Sequence, residues 1–186
     1  MNINIIVAIC KNNGIGIKNT LPWKVKSDLL KFKNLTTGNN KNAIIMGKNT
    51  WTSINSKGLP NRDNLILSST IDIDTINANS NNISKSFNNI EKLEDFVEEK
   101  KYEEVWIIGG EKIYNYFLNE YNTKKNTLKI NKIFVTYIDK NFECDTFFPH
   151  LDATKFKFKS KSIHNNGYVS HLYDFNIFDK IYENKL

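Results

Sequence analysis

Five short apolar runs rich in β-branched residues, each stopped by glycine or a polar turn and most followed by a helical pattern, constrain this chain most. Ile5-Ile6-Val7-Ala8-Ile9 comes first, bounded by Lys11-Asn12-Asn13-Gly14. Ala43-Ile44-Ile45-Met46, Asn64 to Leu67, Val105-Trp106-Ile107-Ile108 and Lys132 to Ile138 follow. Runs of this length and composition read as strands buried on both faces. Between them, 26–36 reads as a helix with Leu29, Leu30, Phe32 and Leu35 on its apolar side and Gly38 after its end. A short helix follows Gly47 through Thr50 and Ile54, 90–101 repeats the helical pattern, and another helix runs from Gly109-Gly110 to about Tyr121. Residues 155–177 suggest two antiparallel strands around His164-Asn165-Asn166-Gly167.

Strand–helix alternation predicts an α/β fold: a mostly parallel twisted sheet with an antiparallel C-terminal strand and flanking helices, in one domain over 1–178. Residues 179–186 are expected to form a fraying tail, 119–129 a flexible surface loop, and the asparagine-rich 69–89 segment a short strand near Ile83. In such sheets ligands bind where strands end and helices begin, which directs attention to 10–28, 46–53, 68–70 and 108–114.

Composition adds two constraints. The chain of 186 residues has a net charge of +6, but its lysines are scattered, so a solvated surface competes with a preference for anionic ligands. Among 26 cationic residues Arg62 is the only arginine. Where lysine serves everywhere else, an arginine suggests a need for a planar fork of donors, as in bidentate capture of a carboxylate. Cys10 and Cys144 have no metal or redox spacing, and His150, His164 and His171 form no cluster with metal-site spacing. The apolar start is too short for a membrane span, and a cytoplasmic protein is expected.

Asp28 and Phe32 are four residues apart and share a helix face with Leu29 and Leu35. A carboxylate on an apolar face is costly unless partnered. Either it complements the helix N-terminus, or it receives a planar amidine-like ligand group packed on Phe32.

Gly16 through Asn19, Leu21-Pro22-Trp23 and Asp28 resemble the substrate loop and first helix of dihydrofolate reductases. The resemblance continues, in family order, through Ile45-Met46-Gly47-Lys48, Thr50-Trp51, Ser53-Ile54, Leu59-Pro60, Arg62, Leu67-Ser68-Ser69, Ile107-Ile108-Gly109-Gly110, Tyr114, Thr136, Asp145-Thr146 and Phe148-Pro149. It covers residues 3 to about 177.

The resemblance implies NADPH-dependent reduction of dihydrofolate to tetrahydrofolate, supporting one-carbon metabolism and thymidylate synthesis, by a monomer with no membrane partner and no obligatory nucleic acid. It implies Asp28, Thr136, Leu21 and Trp23 as catalytic residues, with Asp28 holding the pterin and Thr136 hydrogen-bonding its carboxylate. Ile6, Val7, Leu29, Phe32, Ile54, Leu59 and Ile108 would line the substrate pocket, and Arg62 would grip the glutamate tail. Folate-analogue inhibitors would enter the same pocket. For the cofactor it implies Ala8, Ile15, Gly16, Gly47, Lys48, Asn49, Thr50, Leu67, Ser68, Ser69, Gly109, Gly110, Glu111, Lys112, Ile113 and Tyr114. Lys48, Ser69 and Lys112 would lie near the adenosine 2′-phosphate, and the Gly109–Gly110 peptide would be cis.

Gly14-x-Gly16 lacks the third glycine and the following helix of a dinucleotide fingerprint; by resemblance it belongs to a loop that closes over the nicotinamide. Two alternatives remain open on sequence: a reductase acting on a pyrimidine intermediate of riboflavin synthesis, and a basic RNA-binding module of similar fold.

Overall fold

The computed structural model describes residues 1–76, 82–163 and 175–185. Among these, the apolar runs become the middle of a nine-stranded sheet. Its strands are β1 (Asn2–Cys10), β3 (Ala43–Gly47), β4 (Asp63–Leu67), β5 (Asp74–Ile76), β6 (Ile83–Phe87), β7 (Glu104–Gly109), β8 (Lys132–Ile138), β10 (Phe156–Ile163) and β11 (Ile177–Asn184). Their order across the sheet is β10-β11-β8-β1-β7-β3-β4-β6-β5. From β8 to β6 all neighbours are parallel, while β11 lies antiparallel to β8 and β10, and β5 to β6. A separate two-stranded sheet pairs β2 (Gly14–Gly16) with β9 (Thr146–Phe147).

The continuous apolar runs are explained by burial on both faces. Ile5, Ala43, Ile45, Leu65, Val105, Ile107 and Ile133 form one core with helix α3 (Ile90–Lys100); Ile6, Ile44, Met46, Ile66 and Trp106 form the other. Helix α1 (Lys26–Thr37) lies over the second core through Phe32 and Leu35. Short helices α2 (Lys48–Ser53) and α4 (Glu111–Asn115) begin directly at the ends of β3 and β7, and α4 passes into a π-helical turn, Tyr116–Glu120.

Three expectations change. Leu30 is exposed and Leu29 is 54% exposed, so α1 does not sink an unbroken leucine face into the core; its fully buried residues are Ser27 and Thr36. The described residues after Phe178 are not a loose tail: Ile177–Asn184 is a strand inserted between β8 and β10. The 119–129 segment is not a loose loop. Glu94, 1% exposed on α3, accepts hydrogen bonds from Tyr121 Oη, Thr123 Oγ1 at 2.7 Å and the Thr127 amide at 3.1 Å. A buried carboxylate with these donors fastens the segment to the helix. β5 is an additional strand, and the turn expected at His164-Gly167 falls outside the described residues.

Candidate active site

The carboxyl ends of β1, β3, β4 and β7 open into a single cleft of about 1220 Å³, with α1 along one wall and the starts of α2 and α4 along another. Asp28 faces this cleft with Leu29, Phe32, Ile6, Val7, Ile54 and Ile108 around it. The cleft also explains two exposed leucines. Leu29 and Leu21, the latter 47% exposed, are cleft-lining residues rather than misplaced core.

At the far end of α1 stands Arg62, 2% exposed yet part of the cleft lining. Its Nε donates to the Pro60 carbonyl at 3.0 Å and its Nη1 to Thr36 Oγ1, which itself donates to the Phe32 carbonyl at 2.7 Å. The guanidinium carbon lies 5.9 Å from the Phe32 ring centroid. These contacts brace the fork from behind, and burial pushes its pKa below the ordinary arginine value. An aspartate and an arginine thus lie along one apolar groove.

The third region is built from glycine turns. Gly47 and Gly110 precede α2 and α4 without any side-chain cap, so the first amides of both helices are available to a ligand in the cleft. A Cβ on Gly110 would meet only Thr50 Oγ1 at 3.4 Å, leaving the turn open to close approach. Gly109 differs. At φ +99° a Cβ would strike the Tyr114 ring at 2.5 Å, so glycine is required for packing behind the cleft. The Gly109–Gly110 peptide is cis. Beyond the turns, Lys48 Nζ donates to Thr70 Oγ1 at 3.2 Å, beside Ser68 and Ser69. One cation and three hydroxyl groups suit a phosphate.

Of the residues implied by the resemblance, Trp23, Gly109 and Thr136 do not line the cleft; the others do. Trp23 is buried with Cys10 and Val25, its ring 5.5 Å from that of Phe142, and its Nε1 has no hydrogen-bond partner among the described residues. Thr136, 1% exposed, accepts a hydrogen bond from Lys31 Nζ at 3.1 Å, a partner with no signal in the sequence. Thr70 and Thr146 also line the cleft and were missed as site residues. Thr70 continues the Ser68-Ser69 hydroxyl run, and Thr146 belongs to a motif already noted, so both had a signal. The Gly14–Gly16 segment is held by β9, by the Asp145 amide donating to the Gly16 carbonyl at 3.0 Å and by the Lys18 amide donating to Asp145 Oδ2 at 2.8 Å.

The family model for dihydrofolate reductase matches residues 2–180. The chain belongs to the dihydrofolate reductase family. A dihydrofolate reductase of Buchnera aphidicola subsp. Baizongia pistaciae is 37% identical over 186 residues, spanning 97% of this chain and 99% of the relative. A viral dihydrofolate reductase of Saimiriine herpesvirus 2 is 38% identical over 160 residues, spanning 83% and 72%. In fold, the chain resembles dihydrofolate reductase from Enterococcus faecalis complexed with NADP(H) and RAB-propyl, with a TM-score of 0.75 over 100% of this chain and 97% of that one at 23% identity. Of the alternatives open on sequence, the match selects the dihydrofolate reductase family.

Proposed function

We propose that this chain reduces 7,8-dihydrofolate to 5,6,7,8-tetrahydrofolate with NADPH. The observation that carries this reading is one cleft in which a carboxylate, a braced arginine and two open glycine turns lie together. Asp28 would pair with the pterin's N3 and exocyclic amino group, with Phe32 offering a ring to pack against. Arg62 would hold the α-carboxylate of the glutamate tail through the fork geometry. The residues fit the cofactor: the amides at the starts of α2 and α4 suit pyrophosphate, and Lys48, Ser69, Thr70 and Lys112 suit a 2′-phosphate, favouring NADPH over NADH.

When bound, NADPH supplies the hydride for C6 of the pterin. The apolar walls orient the pterin and exclude water. Asp28 biases protonation at N5 electrostatically, the proton arriving through solvent. Tyr114 remains a neutral phenol, because burial and then the Asp28 charge raise its pKa. The same reading places the enzyme in the cytoplasm as a monomer serving one-carbon metabolism. Two cysteines kept as thiols accord with a reducing compartment. Folate analogues with an amidine-like edge would compete at Asp28.

The test is loss of NADPH absorbance on adding dihydrofolate, with Asp28→Asn as the comparison and circular dichroism as the check on folding. Wild-type turnover reduced at least a hundredfold in the folded variant is expected. Near-normal turnover by that variant at neutral pH would overturn the role of Asp28.

A further inference from the structure

One helical turn beyond Asp28, Lys31 does not extend into water as a surface lysine normally does. Its side chain is 19% exposed, and Nζ reaches back to the sheet, 2.6 Å from Asp179 Oδ1 and 3.1 Å from Thr136 Oγ1. Confining a long side chain and partly dehydrating its ammonium both cost free energy, so the position is held by these contacts. Thr136 and Asp179 are register partners on β8 and β11, and Thr136 is also paired with Ala8 on β1, a cleft residue. Lys31 therefore clamps the first helix to the two strands behind the pocket.

The direction of the hydrogen bond matters. An ammonium can only donate, so Thr136 Oγ1 must be the acceptor, and its single proton points to a different acceptor. We propose that Lys31 is a positioning residue of the reductase site: its ammonium fixes the Thr136 hydroxyl, leaving the hydroxyl proton for Asp28 to accept as the family resemblance implies, and its charge helps to set the pH at which Asp28 ionises. This inference rests on the proposed function. A hydroxyl that accepts from a cation is polarised and donates more strongly, which stabilises a carboxylate acceptor. Residues three apart on a helix share a face, so the Lys31 charge itself also favours ionised Asp28. Asp179 offsets that charge.

The charged and titratable side chains that line the cleft with Asp28 are Lys33 from α1, Arg62 from the turn before β4, Lys48 from α2, Glu91 from α3, and Glu111, Lys112 and Tyr114 from α4, followed by Tyr116. The Lys31–Asp179 ion pair is not part of that lining and acts from the sheet side of α1. The two members of the ion pair pull the Asp28 midpoint in opposite directions. Removing the cation with Lys31→Met should raise it, by roughly one pH unit, a tenfold change in its ionisation constant. Removing the counter-charge with Asp179→Asn should lower it. Lys31→Arg retains the donors and should stay near the wild type.

The experiment is the pH profile of kcat/KM for dihydrofolate in the wild type and these variants, with kcat and KM also resolved at one pH. Loss of packing alone would weaken the variants without moving the midpoint in opposite senses. Asp28-dependent turnover with superimposable profiles overturns the Lys31 proposal and leaves the reductase reading intact. Absent wild-type turnover, or turnover indifferent to Asp28→Asn, overturns both. Should Lys31→Met not fold, Asp179→Asn decides alone: a lowered midpoint supports the proposal, and an unchanged or raised one overturns it.

Discussion

Tyr114 Oη donates a 2.9 Å hydrogen bond to the carbonyl oxygen of Ile6, a buried contact that ties α4 to the middle of β1 at a residue lining the cleft. Tyr114 also packs edge-on against Phe148, with ring centroids 5.0 Å apart, and occupies the space that a Cβ on Gly109 would need. The tyrosine therefore sets the spacing between two walls of the site. In Tyr114→Phe the Ile6 carbonyl is left as a buried acceptor without this donor, at a cost of about 1–3 kcal/mol. Turnover should fall roughly tenfold with the fold retained, measured by steady-state kinetics alongside circular dichroism.

Arg62 is expected to act on binding more than on chemistry. Lysine in its place keeps a charge but loses the planar fork and the bracing from Pro60 and Thr36. Arg62→Lys should raise KM for dihydrofolate by about tenfold or more, in keeping with a lost charge-assisted pair, with kcat little changed. Dihydropteroate, which lacks the glutamate tail, should discriminate little between the two proteins.

Glu94 is expected to matter for stability and not for chemistry. Its replacement by alanine removes the acceptor shared by Tyr121, Thr123 and the Thr127 amide. The loss should be about 2–4 kcal/mol, read from the midpoint of urea unfolding, because several donors lose their partner together. Burial and then the hydrogen bond to Glu94 push the Tyr121 phenol up to about 12. In Glu94→Ala that phenol should ionise at lower pH, which a spectroscopic titration would detect.

Cys144 should react slowly despite its partial exposure. Burial first, and then neighbouring Cys10 with its sulfur 3.9 Å away, raise the thiol to about 11. The sign follows directly: a raised thiol pKa leaves little thiolate at neutral pH, and the thiolate is the nucleophile. Alkylation by iodoacetamide should accelerate about tenfold per pH unit from pH 7 towards 10. Cys10→Ala should make it faster at every pH in that range. A rate independent of pH would contradict this assignment.

The central strands were legible because parallel strands covered on both faces need no alternation: Ala43–Met46 and Val105–Ile108 are simply apolar runs. Strands covered on one side or on neither carry weaker patterns. Asp74–Ile76 is exposed throughout and is held as a strand by pairing with β6. Ile177–Asn184 mixes charged residues among apolar ones and reads as a tail until β8 and β10 flank it. The cleft residues were legible through their ordered motifs, and Arg62 through its rarity among lysines. Leu29 shows the boundary between the two levels. Its helical position was evident, but whether that face meets core or cleft depends on what packs opposite.

The sequence by itself determined the family, the parallel core and the inventory of groups at the strand ends. Those follow from local periodicity, glycine and proline punctuation, and motif order. Tertiary structure alone decided which polar groups meet: Glu94 with the 121–127 segment, and Lys31 with Asp179, which lie 148 positions apart in the chain. Such pairs have no local pattern to announce them. Each partner has a low intrinsic preference for burial, and only the closed sheet brings the compensating charge or acceptor within reach.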